Sequence, residues 1–222
     1  MSTREPLDPN QPFATDPPGE SDSRSQRARQ REQTRERLFE AALGEFRRVG
    51  FAGAQIDRIA QNAGVVRGTF YFHFPKKEHV LLELRARAQT PVVEELDALD
   101  MGTAGIREAL AAVARGTQIS EELVADPGLM QEMVATYLRQ SLDPAFDTQT
   151  GTLGDTLIRV FRGLSARGAL RRGLDPEKAA VLVLTSLFGL FALAQKTPAE
   201  HRQDMEDLMD LLQNGLEPGV PS

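Results

Sequence analysis

Residues 54–78 read AQIDRIAQNAGVVRGTFYFHFPKKE, and their pattern decides the fold. Ile56, Ile59 and Ala60 recur at helical spacing, which predicts a short helix over Gln55–Asn62. Gly64 stands where that helix must stop and the backbone reverse, because glycine reaches positive φ at little cost. Val65 is an apolar plug between the two arms. Arg67 to Phe74 then places a cation, a hydroxyl, aromatic rings and a His on one short element that Pro75 ends. A short helix bearing Arg67, Thr69, Tyr71 and His73 beside a glycine turn has the make-up of a recognition helix for the DNA major groove.

Position by position, the run IDRIAQNAGVVRGTFYFHFPKKEHVL (56–81) resembles the TetR family of transcriptional regulators. The resemblance extends upstream through RERLFEAALGEFRRVGF (35–51), which is similar to that family's first helix and the Gly-aromatic turn after it. Residues 31–87 are covered in all. It implies an all-α fold, with an N-terminal helix-turn-helix DNA-binding domain and a helical domain that binds an effector and dimerises. It also implies that Lys77, near the start of the fourth helix, touches phosphate. A lysine there opposes the helix dipole, which independently suits an anionic partner. Two positions depart from the family pattern, since Ser or Thr is usual where this chain has Gln55 and Val66. Gln55 can still reach a phosphate, whereas Val66 has no hydroxyl with which to cap a helix. The DNA-contacting set expected on these grounds is Gln55, Arg67, Gly68, Thr69, Tyr71, His73, Lys76 and Lys77.

The 222-residue chain is acidic overall, with a formal net charge of −6, which taken alone argues against nucleic acid. Its distribution argues the other way. Arg24 to Ala88 carries +7, residues 1–23 carry −4, and residues 89–222 carry −9. A basic segment on an acidic body is the asymmetry expected when one domain meets phosphate and the other does not. With no cysteine, thiolate metal sites, disulfides and cysteine nucleophiles are excluded together. Three scattered histidines do not make a metal site. No apolar run reaches the length of a membrane span, and the N-terminus has no basic-then-apolar leader, so the expected compartment is the cytoplasm, with no membrane contact and no cofactor.

Periodicity and punctuation predict about nine helices and no strand. Residues 1–30 read as a disordered tail with a basic end; Arg24, Arg27, Arg29 and Arg31 can form a minor-groove arm or a solvated leader. The DNA-binding domain is expected over residues 31–90, the effector and dimerisation domain over 91–217, and a frayed tail over 218–222. Helix one should end at Gly50, with Leu38, Ala41, Ala42 and Phe46 as its buried stripe. Phe70 and Phe74, four apart, read as core; Tyr71 can pack its ring while its hydroxyl reaches a phosphate. Later helices are expected near Lys76–Leu99, Ile106–Ala125, Gly128–Gln140, Thr148–Arg167, Pro176–Gln195 and Pro198–Asn214. Pro127 and Pro176 suit a first helical turn, and Asp175 suits the cap before it.

The helix over 176–195 is apolar on nearly every side, so it needs burial on every side. Pairing with an amphipathic neighbour and with a second copy about a two-fold axis provides it. The expected dimer interface is Leu182, Thr185, Phe188, Gly189, Leu208 and Leu212. Candidate effector-lining residues are Met130, Met133, Tyr137, Phe161 and Leu164, a Met and aromatic set that also suits plain core and that points to an apolar ligand. The expected function is a sequence-specific DNA-binding regulator, a homodimer on a palindromic double-stranded operator, acting as a repressor released by a small, largely apolar effector. The alternative is a regulator controlled by a protein partner, or an activator. Enzymatic function is not expected: the sequence shows no paired His–carboxylate spacing, nucleotide-binding glycine loop or metal cluster.

Overall fold

A computed structural model of the chain describes residues 20–141, 153–193 and 198–218. Among these residues every regular element is an α-helix. The first, α1 (Glu20–Gly53), takes in the basic stretch 20–30, expected as the end of the tail; residues 1–19 lie outside the described range. Its side chains from Ser25 to Gln33 are exposed, so the extension carries arginines without adding core. Gly50, at φ 73°, breaks the helix near its end and turns Phe51 back onto Phe46, with ring centroids 5.1 Å apart.

Two short helices follow, α2 (Ile56–Asn62) and α3 (Arg67–His73), with the turn where glycine required it: Gly64 has φ 67°, and the Val65 N–H donates to the Ala60 carbonyl at 3.0 Å. Neither Gln55 nor Val66 caps its helix with a side chain, as the missing hydroxyls foretell. Leu38, Phe39, Ala42, Phe46, Ile59, Phe70 and Phe74 close the core of this head.

The head is tied to the body by α4 (Glu78–Asp97), with the buried Pro91 inside it. Proline has no N–H to bond the Arg87 carbonyl one turn back, a local weakening of the helix. The body comprises α5 (Ile106–Val124), α6 (Pro127–Ser141), α7 (Leu153–Ala166), α8 (Pro176–Leu193) and α9 (Pro198–Leu216). Helix starts obey the capping signals: Asp126 accepts from the Leu129 N–H at 2.7 Å, and Asp175 from the Lys178 N–H at 2.8 Å. The expected extensions of α7 back to Thr148 and of α8 to Gln195 fall outside the described residues.

Two apolar clusters meet along α4. The first joins α1–α3 and the start of α4 to Leu129, Met130, Met133 and Val134 of α6; the second joins the end of α4 to α5, α7, α8 and α9. The core of the head therefore runs into α6, and Arg47 reinforces that junction by donating to the Val124 carbonyl at 3.0 Å. The tightest contact is between α4 and α5, where Gly116 lets the backbones approach at Pro91 and Val92. Among the described residues no helix is long and apolar enough to cross a membrane.

Candidate nucleic-acid interface

Helix α3 has two faces fixed by its register. Phe70, His73 and Phe74 (i, i+3, i+4) turn inward, and Arg67, Gly68, Tyr71 and Phe72 turn outward. Arg67 leads the outward face. Its Nη1 donates to Asp57 at 2.7 Å, its Nη2 to the Tyr71 hydroxyl at 3.2 Å, and its side chain is 56% exposed. An exposed pair of this kind contributes little stability. It aims the guanidinium and the phenol outward together at small cost to break. A Cβ on Gly68 would meet no neighbouring atom, so the surface beside Arg67 is open. Thr69 is half-buried; Gln55 and Lys76 are exposed at the flanks.

Two of the expected contacts are held by the protein itself. His73 is 8% exposed, and its ring lies edge-on to Phe72, because it shares the inward row of Phe70. Burial, followed by the charges of Arg31 and Arg35, pushes its imidazole pKa down, so it is a neutral packing residue. Lys77 is half-buried: its Nζ donates to the Phe51 carbonyl at 2.8 Å and the Ala52 carbonyl at 3.3 Å, above the Phe51 ring. It ties the end of α1 to the start of α4. The structure adds Phe72, 65% exposed on the outward face with the Arg31 guanidinium 5.0 Å from its ring centre. Its place one turn after the outward Gly68 was the available signal, masked by its apolarity.

Behind the head, α4 is held to α1 by ion pairs on one side. Arg87 donates to Glu36 through Nη1 at 2.7 Å and Nη2 at 2.5 Å, and to Glu83 at 2.6 Å. Hydrogen bonding by Arg87 holds the Glu36 carboxyl below its usual range. Glu83 also pairs with Arg35, whose Nη1 donates to the His73 carbonyl at 2.9 Å, at the end of α3. A continuous polar chain thus runs from α4 to the recognition helix.

On the opposite side of α4 lies a cavity of about 60 Å³. Met130 and Met133 line it; Tyr137 borders it by packing edge-on against the lining residue Phe188, centroids 5.4 Å apart. Phe161 and Leu164 do not: they are fully buried in the second cluster, on the inward row of α7 with Leu157 and Val160. Phe188, expected at the dimer surface, is half-buried and lines the cavity in the row Leu184, Leu187, Phe191. The polar members of the lining, Arg85, Gln89, Thr117 and Ser120, went unnoticed in the sequence. Of the other expected dimer residues, Leu182 and Thr185 are exposed and Gly189 has open space around it, while Leu208 and Leu212 pack partly on their own chain. Val181 and Leu211 add exposed apolar area on α8 and α9.

Known proteins place this geometry. The profile of the bacterial regulatory proteins, tetR family, matches residues 38–84, which run from the middle of α1 through α2 and α3 to the first turns of α4. The chain is 31% identical over 194 residues to the HTH-type transcriptional regulator SrpR of Pseudomonas putida, covering 77% of this chain and 90% of that one. It is 25% identical over 178 residues to the HTH-type transcriptional repressor AcnR of Corynebacterium jeikeium, covering 77% and 85%. The crystal structure of the Thermus thermophilus repressor FadR, in complex with lauroyl-CoA, superposes with a TM-score of 0.61 at 27% identity, covering 85% of this chain and 98% of that chain. The chain belongs to the TetR family and is a helix-turn-helix, DNA-binding transcriptional regulator.

Proposed function

We propose that this regulator is a repressor that binds a palindromic operator as a homodimer and lets go when an apolar effector enters the cavity beside α4. The observation that carries this reading is the two-sidedness of α4. Residues 83 and 87 face α1 and bond to it, and residues 85 and 89 face the cavity. A displacement of the cavity wall therefore moves the anchor of the recognition helix. The cavity holds about two waters' worth of space, so an occupant has to push helices apart. The buried Pro91, with one helical bond missing, is where α4 bends most cheaply.

Dimerisation is supported by Val181 and Leu182 of α8 and Leu211 of α9, which are 56%, 48% and 70% exposed in the single chain. Two copies present two α3 helices to two half-sites. The repressor names of AcnR and FadR, and the apolar acyl chain of FadR's ligand, point the same way. Arg67 is assigned to guanine O6 and N7 and Tyr71 to an adjacent phosphate, with Gln55 and Lys76 on the flanking backbone. Replacing Arg67 by Ala should weaken operator binding by about 1–3 kcal/mol while random-sequence DNA loses far less. Equal losses on both DNAs, measured by anisotropy titration, would remove Arg67 from base readout.

A further inference from the structure

We propose that the cavity beside α4 is built for an effector bearing one carboxylate on an apolar body, with Arg85 binding the anion and Gln89 as its second polar contact. The proposal rests on the reading of that cavity as the effector site and specifies what enters it. Arg85 reaches the cavity from α4, and its Nε is buried with no hydrogen-bond partner. Among the described residues it forms no ion pair; what its guanidinium has is the Tyr137 ring, 4.0 Å from its carbon to the ring centre. One turn further on, Gln89 is 7% exposed, and its Oε1 also has no partner. Residues four apart share a helix face, so the two unpartnered groups stand over the same cavity.

Buried polar groups are nearly always satisfied, and a buried charge without a counter-ion costs most of all. This chain pairs its neighbouring arginine: Arg87, two residues on, makes three bonds to carboxylates. Leaving Arg85 without one, beside a carboxamide whose oxygen has no partner, is the arrangement of a site that waits for an anion. The fork of a guanidinium matches a carboxylate with two parallel bonds. A dianionic phosphate would keep a charge that one guanidinium does not neutralise. Gln89 can turn its carboxamide to donate its N–H to the same carboxylate. The rest of the wall, including Met130, Met133, Leu187 and Phe191, is apolar and suits a hydrocarbon body. Two methionines allow that body to vary in shape.

The test is calorimetric titration of the full-length protein with octanoate and 4-phenylbutanoate, beside the neutral 1-octanol and 4-phenylbutan-1-ol. At least one acid is expected to bind tenfold or more tighter than its alcohol and to release operator DNA. Arg85→Met should abolish that preference while the alcohol still binds, and should raise Tm, because a half-buried charge without a counter-ion is gone. Gln89→Leu should reduce acid affinity and serves if Arg85→Met does not fold. Alcohols binding as well as acids, or a preference that survives Arg85→Met, would overturn the anion assignment and leave the effector cavity standing. Failure of all four compounds to bind would overturn the cavity reading and this proposal together.

Discussion

Replacing Phe74 by Ala is expected to cost about 3–5 kcal/mol, enough to unfold the DNA-binding head of a domain of ordinary stability. Phe74 is fully buried at the point where α3 ends, 5.7 Å from Phe70, with the Arg35 guanidinium 4.5 Å from its ring centre. That Arg35 in turn holds the His73 carbonyl. Truncation therefore leaves a cavity among α1, α3 and α4 and loosens the cation that ties α3 to them. Denaturant unfolding followed by circular dichroism measures it. Tyr71→Ala, at a side chain 40% exposed, is the matched control and should change stability little. A loss below about 1 kcal/mol for Phe74→Ala would contradict the packing described.

Gly116→Ala should destabilise by about 1–3 kcal/mol, although helix propensity alone favours Ala by about 1 kcal/mol. Which effect wins is decided by what the new methyl meets. A Cβ at 116 would lie 2.4 Å from the Val92 Cα, 2.7 Å from its nitrogen and 2.9 Å from the Pro91 carbonyl carbon. These are backbone atoms, which have no rotamer to turn away. The substitution must separate α4 from α5, and Ser120, which donates to the Ala88 carbonyl at the same crossing, goes with them. Since α4 also carries Arg87, operator affinity should fall along with Tm. An unchanged or raised Tm would show that the two helices can part freely at this point.

Helix boundaries were legible where chemistry punctuates the chain. Gly64 had to turn, Asp175 and Pro176 had to start a helix, and Gly50 had to stop one. The outward set of α3 was legible only in part. His73 looked like a groove residue by its polarity, yet it sits three after Phe70, a row already read as core. Register outranked residue type. Lys77 and Phe72 show the same rule from the other side: a cation spent on two carbonyls, and an aromatic ring left facing out. In α8, helical spacing identifies apolar rows but not what each row meets, so it does not show that Phe188 lines the cavity. Arg85 and Gln89 give no signal because a polar residue on a long helix ordinarily reads as solvated face; the packing of α5, α6, α7 and α8 around them is what covers them.

The most direct test of the account is an anisotropy titration of the full-length protein against the DNA just upstream of its own gene and against random duplex, at several salt concentrations. The account predicts a site bound about a thousandfold or more tighter than random DNA, with Arg67→Ala erasing most of that difference. Equal, weak and steeply salt-dependent binding to every duplex would mean that the head meets phosphate alone, and would contradict sequence readout by α3 at that DNA.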